Sequence, residues 1–128
     1  MDALLDTHTA FWAAVDPDRL TASAARALRH PDGRLFLSIV SVWELAIKTS
    51  LGKLRLDMSL ATFVASAERE LGTGLLPVST GHCATVQSLP FHHRDPFDRL
   101  LVAQALTEGL AIISADPAFD AYGVRRVW

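Results

Sequence analysis

Four acidic residues stand where apolar sequence should continue or has just ended. Asp6 closes the run Ala3-Leu4-Leu5, and Asp116 follows Ala111-Ile112-Ile113-Ser114-Ala115. Glu44 and Asp98 fall on the apolar stripes of two expected helices. Burying a carboxylate costs on the order of several kcal/mol unless something positive meets it. Four such groups gathered on one folded edge would repel one another, and a divalent cation is the simplest partner that makes the arrangement favourable. The chemistry that follows is metal-dependent work on phosphate.

The elements that must position these acids alternate between strand and helix. Ala3 to Leu5 reads as a buried strand, followed by a helix capped by Asp6 or Thr7 and ended near Val15 by Asp16-Pro17. Thr21 caps a second helix to His30, and Pro31-Asp32-Gly33 is a turn. Leu35 to Leu37 reads as a strand, and Ser38 or Ser41 starts a helix running to Leu51 with Gly52 as its stop. Ser59 caps a helix with Leu60, Phe63, Val64, Ala67 and Leu71 at helical spacing, closed by Gly72. Gly74 to Val78 is a third strand and Thr80 to Leu89 a short helix. Asp95-Pro96 opens a strong helix through Glu108, stopped by Gly109. Ala111 to Ser114 and Val124 to Val127 are the last two strands. Strands alternating with helices imply a parallel sheet covered on both faces. In such sheets ligands bind where strands end, and that is where Asp6 and Asp116 fall.

Each acid also has an ordinary explanation. Asp116 precedes Pro117 and could cap a short helical turn. Asp98 lies in a first helical turn, where an acid favours the helix dipole. Ser41-Val42-Trp43-Glu44 matches a capping box, and Asp6 could cap the first helix. Capping does not predict convergence, however. Asp98 aligns with Leu101, Val102 and Ala105, and Glu44 with Val40, Ile47 and Leu51, so both face the sheet. Two inward acids on helices and two at strand ends can meet in one pocket. Oxygen-only ligation selects a hard cation, Mg²⁺ or the closely related Mn²⁺. Such an ion can activate water and stabilise the charge that builds on a phosphoryl group.

Other residues carry weaker signals. Thr7 and Ser114 put hydroxyls beside two of the acids, either to orient a carboxylate or to satisfy local backbone. Lys48 follows Glu44 by four residues, which reads first as a helical ion pair. His92-His93 lacks zinc-ligand spacing and reads as loop before a capped helix. Cys83 reads as an inert, partly buried thiol, and Trp12, Trp43 and Trp128 as packing residues.

Composition bounds the alternatives. The 128 residues fit one domain, 1–128, and half of them are hydrophobic, so core material is not short. No apolar run is long enough to span a membrane. No basic residue precedes Arg19, so the start does not read as a signal peptide, and a single cysteine fits a reducing compartment; the expected location is the cytoplasm. Twelve basic against fourteen acidic residues give a net charge of −2. If metal neutralises the four acids, the remaining surface is slightly basic, which permits a nucleic-acid partner without arguing for one.

The residues together resemble a PIN domain of the VapC toxin type. The resemblance is carried by Leu4-Leu5-Asp6-Thr7-His8, Ser41-Val42-Trp43-Glu44-Leu45-Ala46-Ile47-Lys48, His92-His93-Arg94-Asp95-Pro96-Phe97-Asp98-Arg99-Leu100-Leu101 and Ser114-Ala115-Asp116. Each motif is short, but their order and spacing extend over essentially the whole chain. The resemblance implies a three-layer α/β/α sandwich with a five-stranded parallel sheet. It implies a Mg²⁺- or Mn²⁺-dependent endoribonuclease, often a homodimer, that acts on RNA and is inhibited by a small antitoxin. The family's four acids fall on Asp6, Glu44, Asp98 and Asp116, with Asp6, Asp98 and Asp116 expected to hold metal. Asp95 is a second acid near Asp98, but its capping position sets it apart from the inward-facing Asp98. Ser114 stands where many members carry threonine and keeps the hydroxyl.

Two other functions compete. Phosphoryl transfer through an aspartyl-phosphate suits an acid after a strand, but the position two residues on is His8 rather than an acid, and no lysine follows Arg55. A binding module that keeps the fold without catalysis is disfavoured by the presence of all four acids.

Overall fold

A computed structural model describes residues 1–128. Five strands form one sheet in the order β3-β2-β1-β4-β5, every neighbouring pair parallel. The strands are β1 (Ala3–Leu5), β2 (Leu35–Ser38), β3 (Gly74–Leu76), β4 (Ala111–Ile113) and β5 (Arg126–Val127). The helices are α1 (Thr7–Val15), α2 (Ala22–Arg29), α3 (Ile39–Ser50), α4 (Leu60–Leu71), α5 (Thr80–Ser88) and α6 (Pro96–Glu108). Two short 3₁₀ turns, Pro17–Arg19 and Pro117–Tyr122, complete the chain. No helix is long and apolar enough to cross a membrane.

Strand alternation explains the layers. Ala3 and Leu5 point to one face of β1 and Leu4 to the other; Ala111 and Ile113 oppose Ile112 in the same way. The first face packs Phe11 of α1, Leu28 of α2, Leu45 of α3 and Phe63 of α4. The second packs Leu101, Val102 and Ala105 of α6 with Phe119. Helix α3 contributes to both, Leu45 to one core and Val40 to the other, so its first turns pass over the end of the sheet. Burial on both faces is what a parallel sheet requires.

The chain begins in the central strand, builds outward through β2 and β3, then crosses to β4 and β5 on the other side. The reversal lies between β1 and β4, and the ends of these two strands are the usual ligand position in such folds. The register Leu5 to Ile113 puts Asp6 and Ser114 side by side there.

Local signals set the boundaries with small differences from the sequence reading. Thr21 and Ser59 accept hydrogen bonds from Ala24 and Thr62 as N-caps, and Gly72 and Gly109 end α4 and α6 at φ values of 70° and 67°. Ser38, not Ser41, caps α3: its Oγ accepts from the Val40 N–H at 3.0 Å. The capping box expected between Ser41 and Glu44 is therefore absent, because Ser41 already lies inside the helix. Leu51 ends α3 exposed, off the buried stripe expected to include it. Cys83 is exposed rather than partly buried, and Trp43 is 57% exposed, its indole edge-on to Phe97 instead of in a core.

Candidate active site

Asp6 sits at the junction of β1 and α1 and is 5% exposed. Its Oδ1 accepts from the Thr7 N–H at 2.7 Å and its Oδ2 from the Ser114 hydroxyl at 2.7 Å. The capping expectation and the buried-acid expectation thus describe the same side chain. Ser114 Oγ also accepts from the Asp116 N–H at 3.0 Å, so one hydroxyl ties the end of β1 to the loop after β4. The Thr7 hydroxyl turns elsewhere and donates to Ser41 Oγ at 2.9 Å, joining α1 to α3. Thr7 steadies Asp6 through its backbone, not through its side chain. Burial pushes the Asp6 carboxyl above its ordinary range, and its hydrogen bonds only partly oppose that.

Glu44 is almost fully enclosed, 2% exposed, on the part of α3 that passes over the sheet end. Its Oε2 pairs with Lys48 Nζ one turn along the helix. Its Oε1 is buried with no hydrogen-bond partner. A buried carboxylate oxygen without a donor is costly and calls for an explanation at the site itself. Burial lowers the Lys48 ammonium's proton affinity, but the hydrogen bond to Glu44 and the charges of Glu44, Asp95 and Asp98 outweigh it and hold the group above its ordinary value.

Asp98 lies in the first turn of α6, where Asp95 is the cap. Asp95 Oδ1 accepts from the Phe97 and Asp98 N–H groups at 2.8 and 3.1 Å, which leaves the Asp98 carboxyl free to face inward. Burial pushes the Asp98 carboxyl up to about 8, with the negative charges of Asp6, Asp95, Glu44 and Asp116 adding to it. Repulsion of this kind requires the carboxylates to share one neighbourhood. Asp116 begins the second 3₁₀ turn, its Oδ1 accepting from the Ala118 N–H at 2.9 Å while its Oδ2 turns to the cluster.

The structure adds a residue that sequence reasoning placed in a loop. His93 Nε2 lies 3.0 Å from Asp98 Oδ2 and 3.2 Å from Asp116 Oδ2. One donor atom from each of the three residues falls within 4.8 Å of the others. Its neighbour His92 turns away and packs edge-on to Tyr122. The sequence signals for His93 were its pairing with His92, which lacks zinc-ligand spacing, and its position two residues before the cap of α6. That signal is local, whereas the contact with Asp116 joins residues twenty-three apart in sequence.

The donor set suits a hard divalent cation. Asp98 and Asp116 bring carboxylate oxygens close together, Asp6 lies near enough to repel Asp98, Glu44 Oε1 lacks a partner, and burial holds the Asp6 and Asp98 carboxyls above their ordinary range. A cation would offset each of these costs.

Comparison with known proteins agrees with this fold. The model of the PIN domain family matches residues 3–124. Ribonuclease VapC22 of Mycobacterium tuberculosis (strain ATCC 25618 / H37Rv) is 31% identical over 115 residues, covering 88% of this chain and 85% of that protein. Among solved structures, a VapBC2 complex from Rickettsia felis bound to a DNA fragment from its promoter superposes with a TM-score of 0.73 at 12% identity, covering 98% of this chain and 97% of the matched one. VapBC-5 from Mycobacterium tuberculosis gives a TM-score of 0.60 at 21% identity, covering 98% and 96%. The two structural matches speak for the fold; the family match and the ribonuclease relative speak for kinship. With the acids grouped at the switch point of a five-stranded parallel sheet, the chain belongs to the PIN domain family and is a member of its VapC type.

Proposed function

We propose that this chain is the ribonuclease toxin of a toxin–antitoxin pair, an endoribonuclease that needs Mg²⁺ or Mn²⁺. The observation that carries the reading is a group of under-neutralised carboxylates on the sheet edge, Asp6 and Glu44 buried and Asp98 and Asp116 half-buried, with Glu44 Oε1 unpartnered and the Asp98 carboxyl pushed up to about 8. Kinship with a protein named as a ribonuclease supports RNA as the substrate. VapBC-5, of similar fold, is described as a member of a family of toxin–antitoxin systems, which supports a small antitoxin as partner.

Asp6, Asp98 and Asp116 would hold the ion. When bound, it supplies an activated water and neutralises charge on the phosphate under attack. Ser114 and the Thr7 N–H fix both oxygens of Asp6, so that carboxylate needs no reorganisation. Glu44, facing the same space with one free oxygen, orients the attacking water. Lys48 holds the other oxygen of Glu44 in place.

The test is cleavage of single-stranded RNA by the purified protein with Mg²⁺ or Mn²⁺, compared with Asp6→Asn. The expected products carry 5′-phosphates, because attack by water needs no 2′-hydroxyl. Products ending in 2′,3′-cyclic phosphate, or cleavage unaffected by EDTA, would contradict the reading. The antitoxin is expected to place an arginine against the same carboxylates, since guanidinium binds carboxylate bidentately and stays charged. Inhibition should then weaken as Mg²⁺ rises. The chain is expected to act as a homodimer in the cytoplasm.

A further inference from the structure

His93 is held at both ends. Its backbone N–H donates to Tyr122 Oη at 2.9 Å, and Tyr122 Oη also accepts from buried Arg99 at 3.3 Å. Its ring Nδ1 accepts from the Asp95 N–H at 3.1 Å. A backbone N–H can only donate, so Nδ1 carries a lone pair and the ring proton belongs on Nε2. The atom nearest Asp98 and Asp116 is therefore a hydrogen-bond donor. A metal-ligating nitrogen needs the opposite tautomer, with its lone pair toward the cation and its proton on the far nitrogen. The distances alone make His93 look like a third ligand beside Asp98 and Asp116. The Asp95 contact argues against that role.

We propose that His93 is a positioning residue of this site: its Nε2–H sets the direction of the Asp116 and Asp98 carboxylates toward the cation, and the ring is not itself a ligand. The proposal rests on the metal-dependent reading above. The alignment supports it, since Nε2 donates to Asp116 Oδ2 while Asp98 Oδ2 lies within 3.0 Å of the same atom. These acids come from separate elements, the first turn of α6 and the loop after β4, and no hydrogen bond joins them directly. One ring bridges them, itself fixed by the cap of α6.

Two substitutions divide the ring's work. In His93→Asn the amide oxygen can take the place of Nδ1 and keep the Asp95 N–H bond, but the side chain is too short to reach the acids. In His93→Gln the amide nitrogen can reach the position of Nε2, while the Asp95 bond is lost. The probe is Mn²⁺ itself, titrated into each full-length variant by calorimetry, with RNA cleavage measured separately as kcat and KM. Loss of a residue that orients ligands typically weakens metal binding by roughly tenfold to a hundredfold. His93→Asn should show a loss of that size and a lower kcat with little change in KM, and His93→Gln should recover much of both. A purely structural role for the loop predicts the reverse order. Pulsed electron paramagnetic resonance of bound Mn²⁺ should show no nitrogen coupling typical of a directly ligated imidazole.

Equal Mn²⁺ affinity in parent, His93→Asn and His93→Gln would overturn the proposal. So would direct nitrogen coupling. A parent protein that binds no Mn²⁺ would overturn both this inference and the reading beneath it. A parent that binds Mn²⁺ but leaves RNA intact would remove the nuclease reading alone, and the comparison of variants would still decide the role of His93.

Discussion

The two ends of the central strand treat acids in opposite ways. At the start of β1, Asp2 forms a fork with Arg34, its Oδ2 2.9 Å from Nη2 and its Oδ1 accepting from the Arg34 N–H at 2.8 Å. Nearby, Asp32 meets the terminal ammonium of Met1 at 3.1 Å. Hydrogen bonds from these partners hold both carboxyls below their ordinary range. At the other end of the same strand, Asp6 and Asp98 are held above it by burial and by one another's neighbours. Acids at the first end have matched cations in the open. Those at the second are enclosed, with Lys48 on Glu44 as the cation nearest to hand. The first arrangement adds little stability and costs little to keep, as exposed pairs do. The second costs stability in the free protein, a cost that a bound cation would offset.

The largest expected effect lies at the second end. Asp6→Asn should lower RNA cleavage by about a hundredfold or more, the scale on which preorganised electrostatic groups act. Asp2→Asn should leave cleavage unchanged. Activity that survives Asp6→Asn, or falls equally with Asp2→Asn, would erase the distinction between the two ends. Growth after expression provides a parallel measurement, with Asp6→Asn tolerated and the parent toxic.

Metal binding gives the next largest effect. A ligand that binds only the folded chain at a hundred times its Kd stabilises it by about 2.7 kcal/mol. Titrating Mn²⁺ should therefore raise the melting temperature of the parent and of Asp2→Asn, and much less that of Asp6→Asn. An identical rise in all three would place the ion away from Asp6.

The two ends should also respond to pH with opposite sign. Burial and neighbouring carboxylates push the Asp98 carboxyl from an ordinary 3.8 up to about 8 in the folded chain. Between those values the native state holds a proton that the unfolded chain has lost, so stability of the metal-free protein falls as pH rises through this window. In Asp98→Asn, measured in EDTA, the decline should flatten, and the variant should exceed the parent by at least about 1 kcal/mol at pH 8. Denaturant melts across the window decide this; a variant less stable than the parent at pH 8 would mean that the crowding is relieved in solution. At the first end the slope reverses. Asp2 and Asp32 are lowered, so their contribution is present above the ordinary carboxylate range and lost on acidification.

The smallest effect belongs to the exposed fork. Asp2→Asn should lower the melting temperature slightly at low salt and not at high salt, because ions screen exposed pairs. A large loss that persists at high salt would show that the start of β1 depends on Asp2 for more than its charge.

Much of the architecture was legible because it rests on short-range physics. The caps Thr21 and Ser59 and the stops Gly72 and Gly109 act within one helical turn of their own position. Helical periodicity put Asp98 on the face of Leu101, Val102 and Ala105, all of which are buried. The reading failed where one local pattern had two outcomes. Ser38 and Ser41 both suit an N-cap, and the hydroxyl of Ser38 is favoured by its place at the end of β2, where Gln104 of α6 accepts its proton. Trp43 and Cys83 look like interior residues by type, yet the chain ends up with no layer over them.

By itself, then, the sequence determined which residues are acids out of place, which strands and helices carry them, and that the strands run parallel. These follow from periodicity, capping and the length of the crossovers, all of which act along the chain. Tertiary structure alone decided that β1 lies between β2 and β4, and so that Asp6 and Ser114 share a hydrogen bond. It alone left Glu44 Oε1 without a partner and drew His93 between Asp98 and Asp116. The physical reason is that these contacts join residues far apart in sequence. Their geometry depends on how two cores pack against one sheet, and no window of local sequence contains that information.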